Sequence, residues 1–100
     1  MIRGTTPTHI FNLPMRTEPI KEVRITYKQG DSVQIDKTEA DVTMTSSSIK
    51  LTLRQEDTLQ FLANVPVQVQ LKVLTVGGAV LASPVKMIPV NVILNEEVLE

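Results

Sequence analysis

Cysteine and tryptophan are both absent from this sequence. Without cysteine there can be no disulfide, no thiolate nucleophile and no cysteine-ligated zinc site. Aromatic side chains make up only 3% of the chain, namely Phe11, Tyr27 and Phe61. The core must therefore be aliphatic, and its valine and isoleucine residues fit a pleated sheet better than a helix.

An excess of positive charge is also missing. The chain has 10 basic and 11 acidic residues and a net charge of −1, so it offers no basic stripe to neutralise phosphates. No apolar run approaches the roughly 20 residues of a membrane-spanning helix, and the first residues, 1–7, contain no apolar signal-peptide core. We therefore expect no nucleic-acid or membrane partner and a cytoplasmic location when the chain is made.

Alternation of apolar and polar residues is the dominant pattern, and it predicts β-strands. In 20–28, Val23, Ile25 and Tyr27 share one face, and Gly30 lies in the turn that follows. The length of 100 residues fits one domain over 1–100, with a loose tail at 95–100. Repeated alternation predicts seven or eight short strands in an antiparallel two-sheet β-sandwich, with a barrel as the alternative. The predicted core comprises Val23, Ile25, Tyr27, Ile35, Leu51, Leu53, Phe61, Val69, Leu71 and Val73.

Four segments carry more specific expectations. Residues 55–63 lack alternation and predict a helical turn, with Leu59 and Phe61 filling the core. Residues 8–13 predict an edge strand, and Gly77-Gly78 predicts a hairpin with a two-residue loop. Because proline cannot donate to a β-ladder, Pro84 and Pro89 place the last strand at an edge or a bulge. That strand is expected to carry, on one face, Ile88, Val90, Val92 and Leu94.

One short run bears on the topology. Glu56-Asp57-Thr58 followed by Phe61 resembles the corner that precedes a late strand in immunoglobulin variable domains. The paired cysteines and core tryptophan of those domains are missing here. The resemblance implies an immunoglobulin-like arrangement of strands and carries no function.

A second resemblance spans nearly the whole chain. It rests on Met1-Ile2-Arg3-Gly4-Thr5-Thr6-Pro7-Thr8, Phe11-Asn12-Leu13-Pro14, Ile20-Lys21, Ile25-Thr26-Tyr27, Leu51-Thr52-Leu53, Gln55-Glu56, Val69-Gln70-Leu71-Lys72-Val73-Leu74-Thr75, Gly77-Gly78 and Ala82-Ser83. In these strings the chain resembles a group of small all-β proteins predicted from prophages of Gram-positive gut bacteria. The resemblance implies a phage-derived gene and a structural or assembly role, with virion association, and it transfers no site residues.

Residues that could carry chemistry have simpler explanations. His9 is the single histidine and has no partner histidine or cysteine in the sequence, so we interpret it as a polar residue at the rim of an edge strand. The serines at 46–48 lack the context of a nucleophile, and Gly77-Gly78 is not followed by a phosphate-binding helix. Four clustered carboxylates lack the spacing of a calcium loop and are interpreted as solvated surface: Asp31, Asp36, Glu39 and Asp41. We therefore predict no catalytic, cofactor or metal site, and no enzymatic activity.

The apolar surplus points to a surface for association. The second face of the predicted 71–82 hairpin carries Leu74, Val76, Val80 and Ala82. Apolar residues on both faces of a hairpin indicate that the outer face is covered by a tail, a loop or a partner chain. The sequence thus favours a non-enzymatic structural or protein-interaction domain that self-associates or binds a protein partner, either through this outer face or through the first or last strand. The alternative is a small ligand- or glycan-binding adhesion module, which the scarcity of aromatic side chains disfavours.

Overall fold

The computed structural model describes residues 1–17 and 19–100. Within these ranges the chain forms eight strands, a 3₁₀ helix at Glu39–Asp41 and a short α-helix, α1, at Gln55–Leu59. The strands are β1 Thr8–Asn12, β2 Ile20–Gln29, β3 Val33–Thr38, β4 Val42–Met44, β5 Ser48–Thr52, β6 Val67–Thr75, β7 Val80–Ala82 and β8 Lys86–Ile88. The prediction of an all-β chain with seven or eight short strands is confirmed.

The strands form two antiparallel sheets. The smaller sheet has the order β1-β5-β4, and the larger has the order β3-β2-β6-β7, with β8 also paired to β6. β2 and β6 are the longest strands and form the centre of the larger sheet. Their register places Val23 opposite Val73, Ile25 opposite Leu71 and Tyr27 opposite Val69. These pairs lie on one face of the sheet because side chains alternate along a strand.

The core is one cluster of mainly aliphatic side chains, to which both sheets contribute. All ten residues predicted for the core are buried, and so are three others that were not predicted: Ile49, Val67 and Val90. Tyr27 and Phe61 are completely buried, with ring centroids 6.3 Å apart. The two sheets meet in this cluster, to which the smaller sheet contributes Ile49 and Leu51 of β5.

The segment between β5 and β6 forms the predicted helical turn. The backbone N–H of Arg54 donates to the Asp57 carboxylate at 3.0 Å, which fixes the first turn of α1. Lys37 Nζ lies 3.0 Å from the same carboxylate. Burial opposes ionisation of Asp57, but these two contacts outweigh it and hold its pKa below the usual value. Phe61 enters the core as expected, whereas Leu59 is only half-buried.

The hairpin at Gly77-Gly78 forms, but its loop differs from the prediction. Leu74 pairs with Val80, and Thr75 N–H donates to Ala79 at 2.9 Å, so three residues, 76–78, make the loop. Only Gly78 has positive φ, at 90°. An odd loop length with one left-handed residue is typical of a type I turn closed by a bulge, in place of the expected two-residue primed turn.

The end of the chain also differs from the prediction. β8 stops at Ile88. Of the three residues that were predicted to continue its face after Ile88, only Val90 is buried. Val92 is largely exposed and Leu94 fully so, which shows that the predicted single face through Leu94 is wrong. Pro89 cannot donate to the ladder, and Asn91 instead forms a parallel bridge with Ile2.

Candidate functional site

The four residues predicted as an interaction surface lie at the β6–β7 hairpin. Leu74 and Val80 are cross-strand neighbours, and Ala82 lies opposite Lys72 on the same side of the sheet. Val80 is 57% exposed and Val76 is 72% exposed, while Leu74 is half-buried. Val76 belongs to the loop and not to the strand face. In the described chain neither Val76 nor Val80 is covered by the protein's own residues.

The exposed apolar surface continues beyond these residues. β8 pairs with β6 at Val69 and Gln68, the same residues that pair with β2, so β8 must lie on the far side of β6, as β7 does. Strands β7 and β8 therefore form one edge of the larger sheet, here called the β7–β8 edge (residues 80–88). Besides Val80, this edge exposes Leu81, Val85 and Met87.

A break divides the β7–β8 edge at its centre. Ser83 N–H donates to Leu71 O at 2.8 Å, and Leu71 N–H donates to Ser83 Oγ at 3.0 Å, so a side chain replaces one backbone acceptor. Pro84 follows with no donor of its own. The prediction that proline places the last strand at an edge or a bulge is confirmed. The break interrupts the backbone ladder that this edge could offer to another strand.

Charged side chains surround the part of this surface that lies around Leu74 and Val80. A shallow depression of about 250 Å³ is lined by Glu22, Arg24, Lys72, Leu74 and Val80, together with Val73. Arg24 Nη1 lies 2.8 Å from Glu39. Backbone N–H groups, that of Val23 at 3.2 Å among them, lower the pKa of Glu39 with help from Arg24. The surface thus combines an apolar strip with a rim of both signs of charge, as protein interfaces often do.

His9 lies on the inner side of β1 and contacts the core. Its Nδ1 is 2.6 Å from the Tyr27 hydroxyl, with the ring centroids 5.5 Å apart. Burial lowers the pKa of His9 and raises that of Tyr27. His9 is thus at the edge strand that the sequence predicted, but its bond to Tyr27 was not foreseen. Neutral histidine satisfies the buried hydroxyl, which is a structural role.

The four clustered carboxylates do not converge. Asp36 accepts hydrogen bonds from Thr26 Oγ1 at 2.6 Å and from Gln34, which lower its pKa. Asp41 accepts from the Thr38 N–H at 2.9 Å and completes the capping box that begins the 3₁₀ helix at Thr38. Glu39 pairs with Arg24, and Asp31 lies in the β2–β3 turn. Among the described residues no group of three or more histidine, aspartate or glutamate side chains is placed to hold a metal ion.

Gln29 is the polar residue that sequence reasoning missed. It is 2% exposed. Its Nε2 donates to Leu62 O at 2.9 Å and Val65 O at 2.8 Å, and its Oε1 accepts from Leu62 N–H at 2.7 Å. The signal was available, because position 29 continues the buried face of β2 after 23, 25 and 27. Gln29 fixes the 62–65 loop and has no free polar atom for a ligand.

Comparison of the chain with protein-family models, curated proteins and solved structures finds no match. In the part of the chain that is described, no helix is both long and apolar enough to cross a membrane.

Proposed function

We propose that the chain is a non-enzymatic structural or protein-interaction domain with an immunoglobulin-like sandwich fold, and that it serves as a virion or assembly component of a prophage. The observation that carries the proposal is the β7–β8 edge. A small domain that exposes several aliphatic side chains along one sheet edge has a surface that is more stable when covered by protein.

The strand order supports the immunoglobulin-like arrangement. The chain moves from β1 in the smaller sheet to β2 and β3 in the larger one, returns to β4 and β5, and crosses again to β6 through α1. Alternation between two antiparallel sheets is typical of Greek-key sandwiches. The run that resembles an immunoglobulin corner, around Asp57 and Phe61, lies at the last of these crossings. The residues after Phe61 extend this corner before β6 begins at Val67.

The alternative function, glycan or small-ligand binding, has less support. Sugar-binding surfaces rely on exposed aromatic rings, but Tyr27 and Phe61 are fully buried and Phe11 is half-buried. The depression beside Leu71 and Leu81 is open to solvent and is lined mainly by apolar side chains, with no aromatic ring among them. These features favour a protein as the occupant of the β7–β8 edge.

A paired substitution tests the proposal. The double variant Val80→Lys and Met87→Lys places two charges on the β7–β8 edge, and the control Gln34→Lys places one on β3, the opposite edge of the same sheet. Binding is measured between the purified chain and the purified products of the genes adjacent to its own. We expect binding to a head, tail or assembly protein that the double variant loses and the control retains.

Two results would contradict the proposal. One is the absence of binding to every neighbouring gene product together with a strictly monomeric chain in sedimentation at all concentrations. The other is turnover or saturable binding of a small molecule that Val80→Lys and Met87→Lys leave unchanged.

A further inference from the structure

We propose that the free edge of β1 pairs antiparallel with β1 of a second copy of this chain, centred on Ile10. The two smaller sheets would then join into one continuous sheet across a two-fold axis. This inference rests on the proposed function as an interaction domain, and it names one partner and one strand register. It concerns the free edge of β1 in the smaller sheet, which meets the β8 end of the β7–β8 edge at a cleft that Ile10 and Met87 both line.

The backbone of β1 presents an unpaired ladder. Leu13 N–H donates to Ser47 O at 2.8 Å, and Leu53 N–H donates to Pro7 O at 3.0 Å, so the odd-numbered residues of this segment bond to β5. In an antiparallel pair the bonding direction alternates along the strand. The N–H and C=O groups of Thr8, Ile10 and Asn12 therefore point away from β5. Among the described strands none pairs with β1 on that side.

A second copy is the occupant that matches this edge. When two β1 strands run antiparallel about Ile10, Ile10 lies opposite Ile10 of the partner copy, and Thr8 lies opposite its Asn12. Each facing pair has both backbone groups directed at the other strand, which gives about six interchain hydrogen bonds. No outward-facing group of the strand is left without a partner. Ile10, 54% exposed in the single chain, meets an identical aliphatic side chain.

The charge distribution also favours pairing between copies at β1. The segment Thr8–Asn12 has no lysine, arginine, aspartate or glutamate, so two copies bring no like charges into opposition. The other edges are protected: β3 carries Asp36 and Lys37, the β7–β8 edge is broken at Pro84, and β4 has only three residues. Charge, proline and short length are the usual means by which sheet edges avoid pairing. β1 has none of them within the strand.

The area involved predicts the strength of the contact. A five-residue strand pair is smaller than the roughly 1,200–2,000 Å² interface of a stable complex. Pairing also covers the mouth of a cleft of about 340 Å³ between β1 and β8, lined by Phe11, Val69, Ile88 and neighbouring residues. We therefore expect a reversible dimer whose population rises with concentration.

Single cysteines test the register directly, because the chain has no cysteine of its own. In the proposed register Ile10→Cys places two thiols on facing residues about 5.5 Å apart at Cα, within reach of a disulfide. Thr8→Cys places its thiol four residues along the strand from the same thiol of the partner copy. That separation is about 13 Å, which is too far for a disulfide. Mild oxidation should therefore link Ile10→Cys into a dimer, leave Thr8→Cys monomeric, and link the double variant Thr8→Cys, Asn12→Cys. Equal cross-linking of all three variants, or of none, would overturn the register.

Charge substitution tests the interface itself. Ile10, Lys50 and Thr43 lie in one cross-strand row, so Ile10→Lys and Thr43→Lys add the same charge to the same face at opposite edges of the smaller sheet. In sedimentation equilibrium we expect wild type and Thr43→Lys to dimerise with increasing concentration, and Ile10→Lys to remain monomeric with an unchanged circular dichroism spectrum. A monomeric wild type, or a dimer that Ile10→Lys preserves, would refute pairing through β1. The proposed function would survive if binding to a neighbouring gene product still depended on Val80, which does not line the cleft beside β1.

Discussion

The buried amide of Gln29 makes the fold dependent on three hydrogen bonds that the sequence does not reveal as a motif. The substitution Gln29→Leu keeps a side chain of similar volume and removes all three bonds to Leu62 and Val65. Those bonds measure 2.7–2.9 Å. Because the residue is 2% exposed, water cannot replace the lost partners without a rearrangement of the loop.

The expected effect follows from the number of bonds. A typical intramolecular hydrogen bond contributes about 1 kcal/mol net to stability, and a buried group left without a partner costs about 1–3 kcal/mol. Three bonds therefore predict a loss of about 3 kcal/mol in the free energy of unfolding. The added apolar surface of leucine offsets a part of this, because each buried CH₂ stabilises by about 0.8 kcal/mol. We expect a net loss of about 2–3 kcal/mol.

Urea unfolding measures this loss, and Gln68→Leu is the matched control because Gln68 is exposed on β6. The control should change stability by less than about 0.5 kcal/mol. Hydrogen exchange adds a local readout, since the Leu62 amide loses its acceptor and should exchange faster in Gln29→Leu. A loss below about 1 kcal/mol with unchanged exchange at Leu62 would refute the reasoning.

Three further predictions concern the core, a titrating group and a turn. Leu71→Ala should cost about 2–5 kcal/mol in urea unfolding, whereas Leu81→Ala, on the exposed edge, should cost less than about 1 kcal/mol; similar losses would disprove the core assignment. Burial lowers the pKa of His9 in the folded chain, so the unfolded chain takes up the proton first and stability should fall as the pH drops below about 6.5. His9→Gln should flatten that part of the stability profile, and an unchanged slope would show that another group titrates. Gly78→Ala should lower the melting temperature more than Gly77→Ala, because only Gly78 has positive φ, and equal effects would contradict the three-residue loop.

Alternation predicted the central strands well because their surroundings enforce it. β2 and β6 face the core on one side only, so Val23, Ile25 and Leu71 had to be apolar and their neighbours polar. A strand with one buried face is the case in which period-two reasoning is strongest. The same alternation extended to position 29 would have predicted that Gln29 is buried. Because glutamine is polar and Gly30 follows it, the pattern instead indicated that the turn begins at Gln29.

The edges were harder to predict for a physical reason. Val92 and Leu94 continue the alternation of the last strand, yet the chain leaves the ladder at Pro89 and Asn91 pairs with Ile2. That pairing depends on a segment almost 90 residues away in sequence, which local patterns do not encode. The proposed interaction surface was hard to predict for the same reason, since the hairpin pattern identified Val80 but not the position of Val85 and Met87 along the same sheet edge.

Arg3 has a consequence for the order of folding. Its Nε donates to Phe61 O at 2.6 Å, its Nη2 donates to Leu59 O at 3.0 Å, and its Nη1 pairs with Glu96. These partners are 56 to 93 residues away along the chain, so the contacts form only after α1 and the final segment are in place. Loops of this length are closed late in folding, when earlier contacts have reduced their entropic cost. The first residues should therefore be the last to dock, and their amides should open to solvent in partly unfolded states that still keep β2 and β6 paired.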